Sequence, residues 1–185
     1  MAKIIGIDPE SVSDGPGVRF TIFFSGCRHQ CPGCHNPDAQ DFNAGVEFDE
    51  LMQTKVIDHI VRCPSELLCE LPSTVIHTSA LRTLTSGVTL SGGDPMFSAG
   101  DVLRFVRQLR ATLPDISIWL YTGFTYEEIS DVEQKALMAQ CDVMVDGRFE
   151  QEHRDLSASF RGSTNQRIID LATTREAGQL TLWKE

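Results

Sequence analysis

The chain has 185 residues, 41% of them hydrophobic, with six cysteines and a formal net charge of -10. That apolar content suffices for a buried core without covalent staples, and six cysteines in this length are too sparse for a disulfide scaffold. The acidic balance argues against nonspecific binding to nucleic acid or to an anionic membrane, since both need a basic surface. The opening Met1-Ala-Lys-Ile-Ile-Gly-Ile-Asp8 lacks the apolar stretch and cleavage site of a signal peptide, and no segment approaches about 18 successive apolar residues. These features predict one domain over 1–185, acting in the cytoplasm, where a reducing milieu keeps thiols free for metal.

Phe20-Thr-Ile-Phe-Phe24 is rich in aromatic and β-branched residues and predicts a strand that stops at Ser25-Gly26. Cys27-Arg-His-Gln-Cys31-Pro-Gly-Cys34 follows at once. A helix is expected from about Asp49, with Leu51, Met52, Val56 and Ile60 on its buried face and Pro64 at its end; Cys63 continues that face. Residues 64–87 carry two prolines and mixed signals and read as an irregular insertion. Val88-Thr-Leu-Ser91 predicts a strand running into Gly92-Gly93-Asp94-Pro95. Next comes a helix capped by Ser98 with Asp101, buried through Val102, Phe105, Val106 and Leu109, and ended by Pro114. Ile116-Ser-Ile-Trp-Leu-Tyr121 reads as a strand covered on both faces. Thr125 and Glu128 form a capping box for a helix to about Met138, and Val143-Met-Val145 is a strand ending at Asp146-Gly147-Arg148. Residues 171–185, with Trp183, form a C-terminal tail. Repeated strand–loop–helix units predict an α/β fold with a mostly parallel sheet, open or curled into a partial barrel, whose sites lie at the carboxyl ends of strands. By that rule Cys27, Gly92-Gly93-Asp94, Tyr121-Thr122-Gly123 and Asp146-Gly147-Arg148 border one mouth.

Three cysteines within eight residues, Cys27, Cys31 and Cys34, form the most specific pattern. An iron–sulfur cubane is normally held by four thiolates, so three leave one iron open for a further ligand. The alternative is a closed zinc site completed by His29 or His35. Cys63 reads as a buried helix residue, and Cys69 and Cys141 sit in apolar surroundings and read as core residues, although either of these two is also a candidate for a distant fourth ligand.

Cys-x3-Cys-x2-Cys after one strand and Ser91-Gly-Gly-Asp-Pro95 after the next resemble the radical S-adenosylmethionine superfamily. Asp14-Gly-Pro-Gly-Val-Arg19 is similar to the segment preceding the cluster in small activating enzymes of glycyl-radical proteins. Adding Tyr121-Thr-Gly123, Val145-Asp-Gly-Arg-Phe149 and Arg161-Gly-Ser-Thr-Asn-Gln166, the set resembles the branch that activates anaerobic ribonucleoside-triphosphate reductase, over residues 8 to about 170. The resemblance implies an oxidoreductase with a radical SAM partial (β/α) barrel and a 4Fe-4S cluster on Cys27, Cys31 and Cys34. It further implies S-adenosylmethionine on the fourth iron, cleaved to a 5′-deoxyadenosyl radical that takes hydrogen from a glycine of the reductase. Gly93 would meet the methionine end, Gly33, Cys34 and His35 would lie along the nucleoside, and Asp146, Gly147 and Arg148 match a motif contacting the cofactor. A flavodoxin or ferredoxin is the implied electron donor, and Arg19, Arg154, Arg161 and Arg167 are candidates for docking the reductase. Gly33 departs from the superfamily's usual aromatic residue before the third cysteine, so His35 or another residue must cover the adenine. Two other readings stay open: a small radical enzyme acting on a metabolite, similar to the 7-carboxy-7-deazaguanine synthases, and a noncatalytic metal-binding module.

Overall fold

The β-rich runs at the centre of the chain pair side by side. In the computed structural model, which describes residues 1–62 and 85–184, they form the middle of one seven-stranded mixed sheet. Its strands are β1 (Lys3–Ser11), β2 (Arg19–Phe24), β3 (Val46–Glu47), β4 (Gly87–Gly92), β5 (Ser117–Tyr121), β6 (Val143–Asp146) and β7 (Arg167–Asp170), in the order β3-β1-β2-β4-β5-β6-β7. β2, β4, β5 and β6 run parallel, whereas β1 lies antiparallel to β2 and β3, and β7 antiparallel to β6. Helices α1 (Glu50–Arg62), α2 (Ala99–Thr112) and α3 (Val132–Gln140) fall between successive parallel strands, and α4 (Leu171–Ala177) follows β7.

The pairing register sorts side chains by parity. Phe20 faces Val88, Val88 faces Ile118, and Leu120 faces Met144. These residues join Val102, Phe105, Val106 and Leu109 of α2 in the main core, all buried as the stripe predicted. The alternate positions, Thr21, Thr89, Trp119 and Val145, belong to the other face. There Trp119 meets Phe160 and Trp183 edge to face, with centroids 5.6 and 5.2 Å apart. The tail therefore packs on the body: Trp183 N–H donates to the Ile168 carbonyl at 2.9 Å, and Leu171 is buried. Trp183→Ala is expected to cost about 1–2 kcal/mol in urea unfolding, through lost aromatic packing.

Several expectations need correction. β1 was not anticipated because Gly6 and Pro9 break its pattern; register shifts between Ile4 and Gly6 and between Asp8 and Ser11 accommodate them. Leu51 is 64% exposed, whereas Val56 is buried and Met52 and Ile60 pack against the core as expected, joined by buried Gln53, Ile57 and His59. Ser98 makes no side-chain capping bond; Asp94 caps a short 3-10 turn (Pro95–Ser98) ahead of α2, and Asp101 pairs with the Ala2 N–H and Arg104. Glu128 does accept from Thr125 N–H at 2.8 Å, but only a turn follows, and α3 starts later, where Asp131 accepts from Glu133 and Gln134 N–H. Gly87 already belongs to β4 rather than to the insertion, and most of that insertion, with Cys63 and Cys69, lies outside the described residues.

Arg19 is no docking residue. It is 1% exposed, donates to Thr89 Oγ1 (2.6 Å) and to the Val88 (2.7 Å) and Ser117 (3.1 Å) carbonyls, and lies over Trp119. Burial lowers its pKa to about 10, which leaves it charged at neutral pH.

Candidate metal centre and cofactor cavity

Parallel strands deliver their loops to one end of the sheet. There a cavity of about 190 Å³ is bordered by Cys27, Cys31 and Cys34, by Gly92 and Gly93 after β4, by Tyr121 to Gly123 after β5, and by Gly147 and Phe149 after β6. The cysteine loop is tied down at its base, where Gly26 N–H donates to the Ala39 carbonyl and Cys27 N–H to that of Gln40. Its far end turns through a Cys34 N–H bond to the Cys31 carbonyl at 3.1 Å. All three thiols are free and partly exposed. Cys141, the one other cysteine among the described residues, is fully buried against α3, as its apolar surroundings predicted.

Burial pushes the Cys27 thiol up to about 11 and that of Cys31 upward as well, because desolvation disfavours the thiolate. Backbone N–H groups of His29 and Phe149 oppose this at the two sulfurs, and the Arg148 charge helps at Cys31. Such donors stabilise thiolate ligands once a metal replaces the protons.

Asp94 organises the mouth. It is 1% exposed, and its Oδ2 accepts from His29 Nε2–H, Thr122 Oγ1–H and Gly123 N–H, each at 2.9 Å, while Oδ1 accepts from Met96 N–H. Four donors offset the burial of one carboxylate. Gly93 has its own constraint. A Cβ there would sit 2.4 Å from the Ala39 carbonyl oxygen, so the glycine lets β4's end pack against the base of the cysteine loop.

The other anticipated residues divide. Cys34, His35 and Gly147 line the cavity, and Gly147 offers its carbonyl to Gln166 Nε2 at 2.9 Å. Gly33 lies beside it: a Cβ there would fall 2.0 Å from Gln151 Oε1 and 3.5 Å from the Phe149 ring. Arg148 is exposed and borders Cys31 electrostatically without lining the cavity. Asp146 points elsewhere. Its buried carboxylate accepts from Arg167 Nε at 3.0 Å and Tyr126 N–H at 2.8 Å, and Arg167 also binds Glu127. Arg167 is thus committed to the fold, whereas Arg154 is exposed and Arg161 donates to the Gln166 carbonyl.

Thr122 borders the cavity, as the strand-end rule predicts, and three residues of the quoted motifs that carried no expected role complete the wall: Asp14, Gln166 and Phe149, whose ring packs at a tilt against His35 with centroids 4.8 Å apart. His29, a zinc-ligand candidate by sequence, gives its imidazole to Asp94.

Residues 13–169 match the family model of the 4Fe-4S single cluster domain. The three cysteines on the cavity wall lie within the matched residues. Proteins named anaerobic ribonucleoside-triphosphate reductase-activating protein align along most of the chain. The relative from Vibrio cholerae is 40% identical and that from Haemophilus influenzae 38%, each over 86% of this chain and 92% of its own length. The Escherichia coli K12 relative is 34% identical over 88% of this chain and 95% of its own. The chain belongs to the family of anaerobic ribonucleoside-triphosphate reductase-activating proteins.

Proposed function

We propose that this protein is a radical S-adenosylmethionine enzyme that installs a glycyl radical on anaerobic ribonucleoside-triphosphate reductase. The observation that carries the reading is the cavity at the carboxyl ends of parallel strands, bordered by three thiols, while Cys141, the fourth described cysteine, is buried and does not line it. Cys27, Cys31 and Cys34 would hold a 4Fe-4S cluster, leaving one iron for the amino and carboxylate groups of S-adenosylmethionine. When bound, the cluster supplies one electron for reductive cleavage of the sulfonium to methionine and a 5′-deoxyadenosyl radical.

The donor set suits this better than zinc. The closed zinc alternative needs a histidine beside the three thiols, but the His29 ring is turned to Asp94 and the His35 ring packs on Phe149. In this reading Gly93 meets the methionine end, and Gly33, Cys34 and His35 run along the nucleoside. Gly147 borders the cofactor directly, Arg148 supplies charge near Cys31, and Asp146 acts by holding Arg167. Phe149 with His35 covers the adenine in place of the aromatic residue missing at Gly33. Phe149→Ala is expected to raise the Kd for S-adenosylmethionine roughly tenfold, equivalent to about 1.4 kcal/mol of lost stacking, while iron and sulfide content stay unchanged.

The same reading takes the sheet as a radical SAM partial barrel, with the Trp119 face inside. It takes the electron donor as a flavodoxin or ferredoxin and the cytoplasm as the compartment. The names of the relatives favour a protein substrate over a metabolite. Mixing the reduced, cluster-loaded protein with S-adenosylmethionine and the reductase's glycyl-radical subunit should produce a glycyl-radical doublet in the electron paramagnetic resonance spectrum. Cofactor cleavage without that signal would argue for a different substrate.

A further inference from the structure

Between two of the three cysteines lies a side chain to which the proposed chemistry gives no part. The loop around it is open to solvent: Arg28, Gln30, Pro32 and Gly33 are exposed, and Gln30 holds a left-handed φ of 51°. His29 alone in the Cys27–Cys31 interval turns inward, its side chain 5% exposed. The ring sits against Phe97 and Phe124, with centroids 5.1 and 4.7 Å away. Nε2 lies 2.9 Å from Asp94 Oδ2. An ionised carboxylate can only accept, so Nε2 carries the hydrogen. The imidazole also presses on β5's end so closely that a Cβ at Gly123 would fall 2.4 Å from His29 Cδ2.

From within the cysteine loop, one side chain thus holds the ends of two strands. We propose that His29 is a positioning residue: through Asp94 it fixes the Cys27–Cys31 loop against the strand ends and so sets where the cluster stands relative to Gly93. This rests on the proposed function, because the consequence is felt at the S-adenosylmethionine site. Groups that orient metal ligands from behind typically contribute roughly 10–100-fold to affinity or activity. Here the contribution falls on the cofactor, since a His29 variant retains all three thiols.

Two variants separate the hydrogen bond from the packing. H29F keeps an aromatic ring without a donor, and H29Q keeps a donor to Asp94. Each is reconstituted with iron and sulfide without oxygen, checked for metal content and cooperative unfolding, reduced, and titrated with S-adenosylmethionine while the cluster's electron paramagnetic resonance spectrum is followed. H29F is expected to hold a full cluster, to bind S-adenosylmethionine roughly 10–100-fold more weakly, and to show an altered spectrum in the complex. H29Q should stay close to wild type in both respects. H29F with wild-type affinity and spectrum would overturn the proposal, and so would H29Q that loses affinity while holding a full cluster. Should H29F fail to fold, the H29Q titration alone decides by the same two outcomes. A wild-type protein that takes up no cluster, or whose cluster ignores S-adenosylmethionine, would instead overturn the underlying functional reading.

Discussion

Cys31→Ala is expected to give a folded protein that holds no complete 4Fe-4S cluster and cleaves no S-adenosylmethionine. Cys31 is partly exposed on a loop, and its thiol borders the cavity rather than the core. Its removal should therefore change unfolding free energy by no more than about 0.5 kcal/mol in the metal-free protein. The chemical loss should be complete, because a cubane with two thiolates has no defined open iron at which to orient a cofactor. Cys141→Ala is the opposite case. That thiol is fully buried, so the substitution should cost about 1–2 kcal/mol and leave the cluster spectrum intact. Iron and sulfide content, the visible spectrum and urea unfolding distinguish the two patterns. A full, active cluster in Cys31→Ala would mean that the ligand set had been assigned to the wrong thiols.

Asp94→Ala should be the most destabilising single change at the mouth, costing at least about 3 kcal/mol. Loss of the carboxylate strands the donors of His29, Thr122, Gly123 and Met96. Each buried donor left without an acceptor costs about 1–3 kcal/mol, discounted because they share one acceptor and relax together. The injury is also spatial: it releases the cysteine loop, the end of β4 and the end of β5 from one another. Urea unfolding of the metal-free protein should show a clearly lowered midpoint. A change under about 1 kcal/mol would mean that water replaces the carboxylate and that the network does not hold the site together.

The parallel centre of the sheet was legible in the sequence because β2, β4, β5 and β6 are short runs rich in apolar and β-branched residues that end at glycine or polar turns. The edges were not. β3 has two residues, β7 reads Arg-Ile-Ile-Asp, and β1 carries Gly6 and Pro9, so local pattern is too short or too broken to outweigh what pairing partners supply. The meeting of four strand-end motifs at one mouth followed from topology alone. The direction of individual side chains did not, because it is decided by partners distant in sequence. Asp146 turns away to Arg167, 21 residues on, and His29 turns inward to Asp94, 65 residues on. Gln151 and Phe149 border Gly33 from a loop distant in sequence, a meeting that no local motif spells out.

The central claim is tested most directly by anaerobic reconstitution with iron and sulfide, reduction with dithionite, and quantitation of 5′-deoxyadenosine after addition of S-adenosylmethionine. The account predicts its formation by the wild-type protein in the presence of reductant. A protein shown to carry a full, reduced cluster that yields no 5′-deoxyadenosine would contradict it.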